Sequence, residues 1–532
     1  MSSPTLTAAG IMPEKDTLSL LALKVAPNVF DLSSGQQHVS IRDQIIRAQI
    51  LVRDLCNADP FADRILVVGA GVAGVTAALE AAARGKLVVV VDTAKEPFSL
   101  QRNAPQRFVG PFMYEWPASF FDNQSYPPKN GCDWGAASPI TPVWSSSKPL
   151  SGPELAGQLL EWLECVQHDT KRIKEHFPRW SAPDWWMEAT SFSVTAAVKR
   201  FAEQTGVMAQ RRIDGKSLAG YHVDACLIDL KREGRINTRA FTPDYIVLGA
   251  GMGEENVSLP DIKEVGTARS VPVKGPRFWG NDTLLDPATA NQSIGVFGGG
   301  DGAIQDVLRA LTGLDHPLEI IRKLEQNAAV RKLLAGASEQ LLAMEQQSRL
   351  ISTWMLGQGA YMDLDRACNA LAMSLCRKPV MRQALLGCLR EGRGIAFQFV
   401  RESHFGKAYL LNRFLMHMLI ACRARASKRE WGKRMNYECH FGAEASASMH
   451  PQPGYRFCTR VSALPEYRSA TGGKQIAFTG TIDYDFHEVA VRFGIVRNST
   501  PGSQMVTLTG KGMTTRTSLS RIPLPFVLPV AK

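Results

Sequence analysis

Four residues in one short stretch have the spacing of a nucleotide-binding site. Residues 64 to 92, RILVVGAGVAGVTAALEAAARGKLVVVVD, hold Gly69-Ala70-Gly71-Val72-Ala73-Gly74 between two apolar runs, Ile65 to Val68 and Leu87 to Val91, and close on Asp92. The pattern predicts strand, glycine turn, helix, strand. Gly69 permits the tight turn, Gly71 leaves bare backbone for a pyrophosphate, and Gly74 lets the helix lie close to the strand. The helix N-terminus adds unpaired N–H groups and a partial positive charge. Asp92 follows Gly74 by 18 residues, where a carboxylate accepts hydrogen bonds from a ribose 2′-hydroxyl and repels a 2′-phosphate. Ala78, Ala81 and Gly85 continue the small residues along the helix. An ordinary structural turn needs neither these nor the closing acid, so the stretch predicts a dinucleotide site.

Two further apolar runs end in glycines. DYIVLGAGMG (244–253) carries Gly249 and Gly251, and QSIGVFGGGDGAIQDVLRALTG (292–313) sets Gly298, Gly300 and Ala303 in a GxGxxA arrangement before a helical pattern. With three such turns in this order, the chain resembles the FAD/NAD(P)-binding flavoproteins with Rossmann-type domains, the group that holds disulfide reductases, flavin monooxygenases and amine or acid oxidases. The resemblance covers residues 61–95, 242–253 and 292–310. It implies that residues 69–92 bind the ADP half of FAD and that DYIVLGAG passes the same cofactor, although Leu248-Gly249-Ala250-Gly251 departs from the family's Ala-Thr-Gly.

For the third turn the resemblance leaves two readings. It opens an NAD(P)H-binding domain, or it is the family's later Gly-Asp motif, in which Asp301 holds the flavin's ribityl chain. The first reading asks for a following strand that ends near the ribose. Leu318 to Ile321 with Arg322 and Lys323 behind offers one suited to a 2′-phosphate, while the same residues also fit a helix with Leu318, Ile321, Leu324 and Ala328 on one face.

The elements around these turns give an α/β fold: a Rossmann-type FAD/NAD(P)-binding core with a large helical insert and a C-terminal strand-rich segment. Ser40-Ile41-Arg42-Asp43 has the form of a capping box, before Ile41, Ile45, Ala48, Val52 and Leu55 at helical spacing. Helices are expected over 151–174 and 194–205, a long ordered loop over 101–131, and an overwhelmingly helical run over 303–430; strands return after about 455. The expected division is an arm and helix (1–60), an FAD-binding domain (61–260), an NAD(P)-like region with the helical insert (261–440) and the strand-rich segment (441–532). Beyond the glycine turns no internal repeat is visible.

Composition narrows the class. The 532 residues are 45% hydrophobic and 21% charged, an ordinary globular balance. The N-terminal stretch has no secretory pattern, and FLMHMLIAC (414–422), among the longest apolar runs, is interrupted by His417. A cytoplasmic protein is expected, with a small-molecule substrate and neither nucleic acid nor membrane as partner. Ten cysteines contain no CxxC, which argues against a disulfide framework, a zinc ribbon and the paired thiols of a flavoprotein disulfide reductase. The net charge of +11 is scattered, apart from CRARASKREWGKR (422–434), a solvated helix end or an anion-binding surface.

Other polar residues have bland alternatives beside functional ones. In FVGPFMYEWP (108–117), Tyr114, Glu115 and Trp116 either line a flavin or substrate pocket or pack a loop. In RESHFGKAYLLNRF (401–414), His404, Lys407, Tyr409, Asn412 and Arg413 are a polar pocket wall or a satisfied helix. His440 and His450 lack ligand-spaced partners, so no metal site is expected. TGKG (509–512) has Met505 where a phosphate loop needs glycine. The expected activity is that of an FAD-dependent oxidoreductase fed by NAD(P)H; an amine or amino-acid oxidase without a nicotinamide site, and a flavin-holding sensor presenting residues 405–422 to a partner, are the alternatives.

Overall fold

Two parallel sheets with the same strand order frame the molecule. The computed structural model describes residues 20, 23–26, 28–32, 40–60, 62–118, 125–126, 139–190, 208–213, 216–221, 226–262, 273–354, 358–406, 408–449, 456–463 and 480–496. The helix expected over 194–205, together with Lys407, His450, Cys132 and residues 509–512, lies outside them.

The first unit contains β1 (Lys24–Ala26), β2 (Val29–Asp31), α1 (Ile41–Ala58), β3 (Arg64–Val68), α2 (Val72–Ala83), β4 (Leu87–Val91), α3 (Gly152–His168), β5 (Asp184–Trp186) and β6 (Tyr245–Leu248). Its sheet runs β1-β2-β6-β3-β4-β5, parallel throughout except for β1 against β2. Strands buried on both faces read as continuous aliphatic runs, as LVVVV does. The capping box of α1 forms as expected, with Ser40 Oγ accepting from Asp43 N at 3.1 Å and the Asp43 carboxylate accepting from Ser40 N at 3.0 Å. Ile45, Ala48, Val52 and Leu55 are fully buried in one cluster with Val75, Ala78 and Leu79 of α2. Antiparallel strand pairs over 208–221 and 226–241 lie in the chain between β5 and β6.

The second unit opens with β7 (Ser293–Phe297) and α4 (Asp301–Thr312), continues through α5 (Pro317–Glu325), α6 (Ala328–Gly336), α7 (Ser338–Trp354), α8 (Gln358–Leu375) and α9 (Pro379–Leu386), and closes with β8 (Ile395–Val400), α10 (Leu410–Arg425), β9 (Asn436–Phe441) and β10 (Glu488–Val491). Its sheet, β9-β8-β7-β10, is parallel throughout. The expected helical run is therefore interrupted by β8. IAFQFV is short and apolar, and Gly394 before it allows the chain to pass where a Cβ would lie 2.6 Å from the Gln292 carbonyl oxygen.

Three antiparallel strands over 443–449, 457–463 and 481–486 separate β9 from β10, as antiparallel pairs separate β5 from β6. The order β5-β4-β3-β6 thus recurs as β9-β8-β7-β10, an architectural repeat that sequence periodicity does not display. The two connections between units run together: Glu255 bridges Ile495, Asn256 N donates to Gly494 O at 2.8 Å, and Val496 N donates to Glu254 O at 2.7 Å. Among the described residues no helix is long and apolar enough to cross a membrane.

Candidate functional site

The first glycine turn lies at the carboxyl end of β3, where open α/β sheets bind ligands. Gly69 has φ +105°, and a Cβ there would sit 2.4 Å from the Gly249 carbonyl oxygen; at Gly74 it would meet the Gly69 carbonyl oxygen at 1.8 Å. These two glycines are required by the fold itself. At Gly71 a Cβ would meet nothing within 4 Å. Gly71 is the N-cap of α2 without a side-chain cap, and the first turn, including Val72 and Ala73, carries no acid. Open space in front of uncapped N–H groups is what a pyrophosphate requires. Asp92 faces the same turn: its Oδ2 accepts from Ala70 N at 2.6 Å and its Oδ1 from Ala94 N at 2.7 Å. Gly249 packs against Gly74 and brings the end of β6 to the turn, followed by exposed Gly251 at φ +88°.

The second turn reproduces this geometry contact by contact. Gly69 N donates to Val91 O at 2.8 Å and Gly298 N to Phe399 O at 2.9 Å; Phe98 N donates to Ala70 O at 3.0 Å and Gly406 N to Gly299 O at 2.9 Å. Gly298 has φ +135°, and a Cβ there would lie 2.4 Å from the Arg492 carbonyl oxygen. Gly300 is the uncapped N-cap of α4, and Ala303, fully buried, takes the place of Gly74. The register sets Val68 against Val91 and Phe297 against Phe399, so buried Val400 stands where Asp92 does, and exposed Arg401 comes one residue later.

Asp301 sits on the first turn of α4, with its Oδ1 accepting from Tyr409 N at 2.8 Å and Asn412 Nδ2 at 2.7 Å. Because α10 begins at Leu410 without a side-chain cap of its own, Asp301 supplies that cap from another helix. Tyr409 and Asn412 therefore act in holding the turn. Arg413 instead pairs with Asp365 inside the helical block, and His404 is buried there.

One open reading is decided for the helix, and one expected exposed face is corrected. Leu318 to Ile321 belong to helix α5, whose apolar face, with Leu318, Ile321 and Leu324 nearly fully buried, packs into the core; Arg322 and Lys323 thus do not end a strand, and Arg322 reaches Ser147 O at 3.4 Å. The segment that would present an exposed apolar face, 405–422, is core: Leu410, Leu411, Phe414, Leu415 and Met418 are fully buried. The physical reason is common to both. In the second unit the helices between β7 and β8, together with α10 after β8, cover the sheet and bury each other's apolar stripes.

Tyr114, Glu115 and Trp116 pack between the units. Tyr114 stacks on Tyr409 at 4.8 Å and lies 4.6 Å from the His316 ring; Trp116 stacks on Phe414 at 5.7 Å. Glu115 accepts from Arg42 at 2.5 Å in a fully buried pair. Burial holds both tyrosine hydroxyls well above their ordinary range, so neither phenol is a base near neutrality. Burial, with Arg322 adding to it, pushes the His316 imidazole down to about 3, and its Nδ1 accepts from Leu318 N as the cap of α5.

The nine described cysteines are free, and burial pushes the thiols of Cys368 and Cys388 up to about 12 and 11, which suppresses thiolate chemistry. Among the described residues no three His, Cys, Asp or Glu side chains form a metal-binding group. Arg401 carries no sequence motif of its own; its place follows from Gly392, Gly394 and the apolar run that makes β8.

Residues 64–101 match the family model of the FAD binding domain. No curated protein matches the chain. Among solved structures it is similar to Lactococcus lactis thioredoxin reductase (12% identity, 81% of this chain and 77% of that one, TM-score 0.32), to a bacillithiol disulfide reductase of Bacillus cereus (8%, 81% and 78%, TM-score 0.32) and to an ornithine N-hydroxylase of Kutzneria (10%, 81% and 81%, TM-score 0.29).

Proposed function

We propose that this chain is an FAD-dependent oxidoreductase whose flavin is reduced by NADPH and which then acts on a small organic substrate. The observation that carries the proposal is the repeated unit: two sheets that share the order of four strands, each with a glycine turn at the carboxyl end of one of them, β3 or β7. FAD is assigned to the first, where Gly71 leaves the pyrophosphate room and Asp92, held at the turn by Ala70 N, would accept from a ribose hydroxyl. NADPH is assigned to the second. There an aliphatic residue, Val400, replaces the ribose-binding acid, and the exposed guanidinium of Arg401 suits a 2′-phosphate. That Asp301 caps α10, and that its turn follows β7 of a separate parallel sheet, favours this reading over a ribityl contact.

Bound FAD and NADPH supply the hydride and electron chemistry. The chain binds and orients: the uncapped starts of α2 and α4 hold phosphates, Asp92 and Arg401 select the two riboses, and the Tyr114–Tyr409 and Trp116–Phe414 stacks exclude water between the units. Purified protein should show a flavin spectrum and bleach under anaerobic NADPH, with NADH slower. A protein that cannot take up FAD, or whose flavin stays oxidised with either nucleotide, would refute the assignment.

A further inference from the structure

Five buried charged side chains meet where the loop after β4 crosses to the second unit. Asp306 of α4 accepts from Arg107 Nη1 at 2.5 Å and Arg309 Nη1 at 3.0 Å through Oδ1, and from Arg492 Nε at 2.8 Å through Oδ2. Asp282 accepts from Arg107 Nη2 at 3.1 Å and from both Arg309 Nη atoms at 2.9 and 3.1 Å. Asp306 is 0% exposed and Arg107 only 3%. Arg107 also lies 4.0 Å over the Phe278 ring and donates to Phe278 O.

Only Arg107 comes from the first unit. Its own carbonyl accepts from Gly152 N at 2.8 Å, at the start of α3, which anchors it there. The groups around it belong to the second turn: Asp306, which it bonds, and Arg309, which shares that carboxylate, lie on α4, whose N-terminus is the candidate phosphate site, Arg492 follows β10, and Phe278 and Arg492 crowd Gly302 at 3.2 and 3.4 Å from a Cβ built there. The two-stranded connection at 254–256 and 494–496 by itself leaves the angle between the units open. Beside the Tyr114 and Trp116 stacks, a planar guanidinium bonded at fixed geometry to three groups restricts it further.

From this we infer that Arg107 is a positioning residue, a latch that holds α4 and the second glycine turn in one orientation against the first unit. The charge balance suits a latch. Three arginines face two aspartates, so removing Arg107 leaves a neutral quartet and a second unit that still folds, whereas removing either aspartate leaves surplus buried cations.

The test is hydrogen exchange on full-length Arg107→Met. Residues 104–118 and 276–284 are expected to exchange at least about tenfold faster than in the wild type, while the β7 and β8 amides keep their protection. Arg107→Lys, which keeps the charge but not the fork, should fall between. Unchanged exchange in Arg107→Met overturns the latch. So does global loss of protection in the second unit, because it would make Arg107 a folding residue. The consequence for catalysis rests on the function proposed above: the rate constant for flavin reduction by NADPH should fall about tenfold or more with the nucleotide's KM within about twofold, since misorientation costs rate rather than binding. If exchange rises in the variant while neither nucleotide reduces wild-type flavin, the functional reading fails and the latch stands.

Discussion

The two glycine turns share a backbone and differ in charge. In the first, the start of α2 is uncharged and an acid, Asp92, closes the second strand; in the second, an acid, Asp301, stands on the first turn of α4 and a cation, Arg401, follows the second strand. The backbone contacts superpose pair by pair, so geometry alone cannot distinguish what the units bind. Three or four side chains do. A frame fixed by close approach of backbone to backbone can be reused, with specificity carried by residues that the frame does not need.

The sharpest way to break the comparison separates frame from ligand within one turn. Gly74→Val drives a side chain into the Gly69 carbonyl oxygen at 1.8 Å and should cost more than about 4 kcal/mol, seen as loss of the thermal transition of the first unit with or without FAD. Gly71→Ala, with open space and φ −74°, should leave the apo protein within about 0.5 kcal/mol of wild type and weaken FAD binding by about tenfold or more, measured by calorimetry. Equal effects of the two substitutions would mean that the turn is structural only.

A smaller effect sharpens the contrast of sign. Arg401→Ala should raise the KM for NADPH by about 10- to 100-fold, as loss of a charge-assisted phosphate contact of about 1.5–3 kcal/mol implies, and leave NADH unchanged. A uniform rise for both nucleotides would remove Arg401 from the 2′-phosphate.

The smallest concerns the interface. His316 titrates in the native state near 3 against an ordinary value of 6.5, so the unfolded chain takes up the proton first as pH falls. The stability from keeping it neutral is present above pH 6.5 and is lost progressively towards pH 3. His316→Asn keeps a capping side chain and should flatten the melting temperature between those limits, whereas the wild type declines. An identical decline in both would assign the acid sensitivity to other groups, but not to Asp306. Burial pushes its carboxyl up, but Arg107, Arg492 and Arg309 outweigh that and hold it well below 3.8, so its contribution fades only at more acid pH.

Much of the candidate site was legible because its signals are local. The glycine turn, the Ser40 capping box and the aliphatic runs each depend on residues within a few positions of one another, and the structure places them as expected. Less was legible where the period was ambiguous. Leu318 to Ile321 fit strand and helix alike, and β8 was lost inside a run dominated by helices, so the arginine at its end went unseen.

By itself, then, the sequence determined the first dinucleotide turn, the α/β class and the lack of a CxxC motif, because glycine spacing, aliphatic periodicity and CxxC spacing are short-range properties of the chain. Tertiary structure alone decided that residues 293–491 repeat the order of the first sheet, that Arg401 rather than Arg322 stands beside the second turn, and that Arg107 meets Asp306 across 199 positions. Those facts depend on which strands pair and which buried charges find partners, and pairing is settled when the whole chain closes on its core.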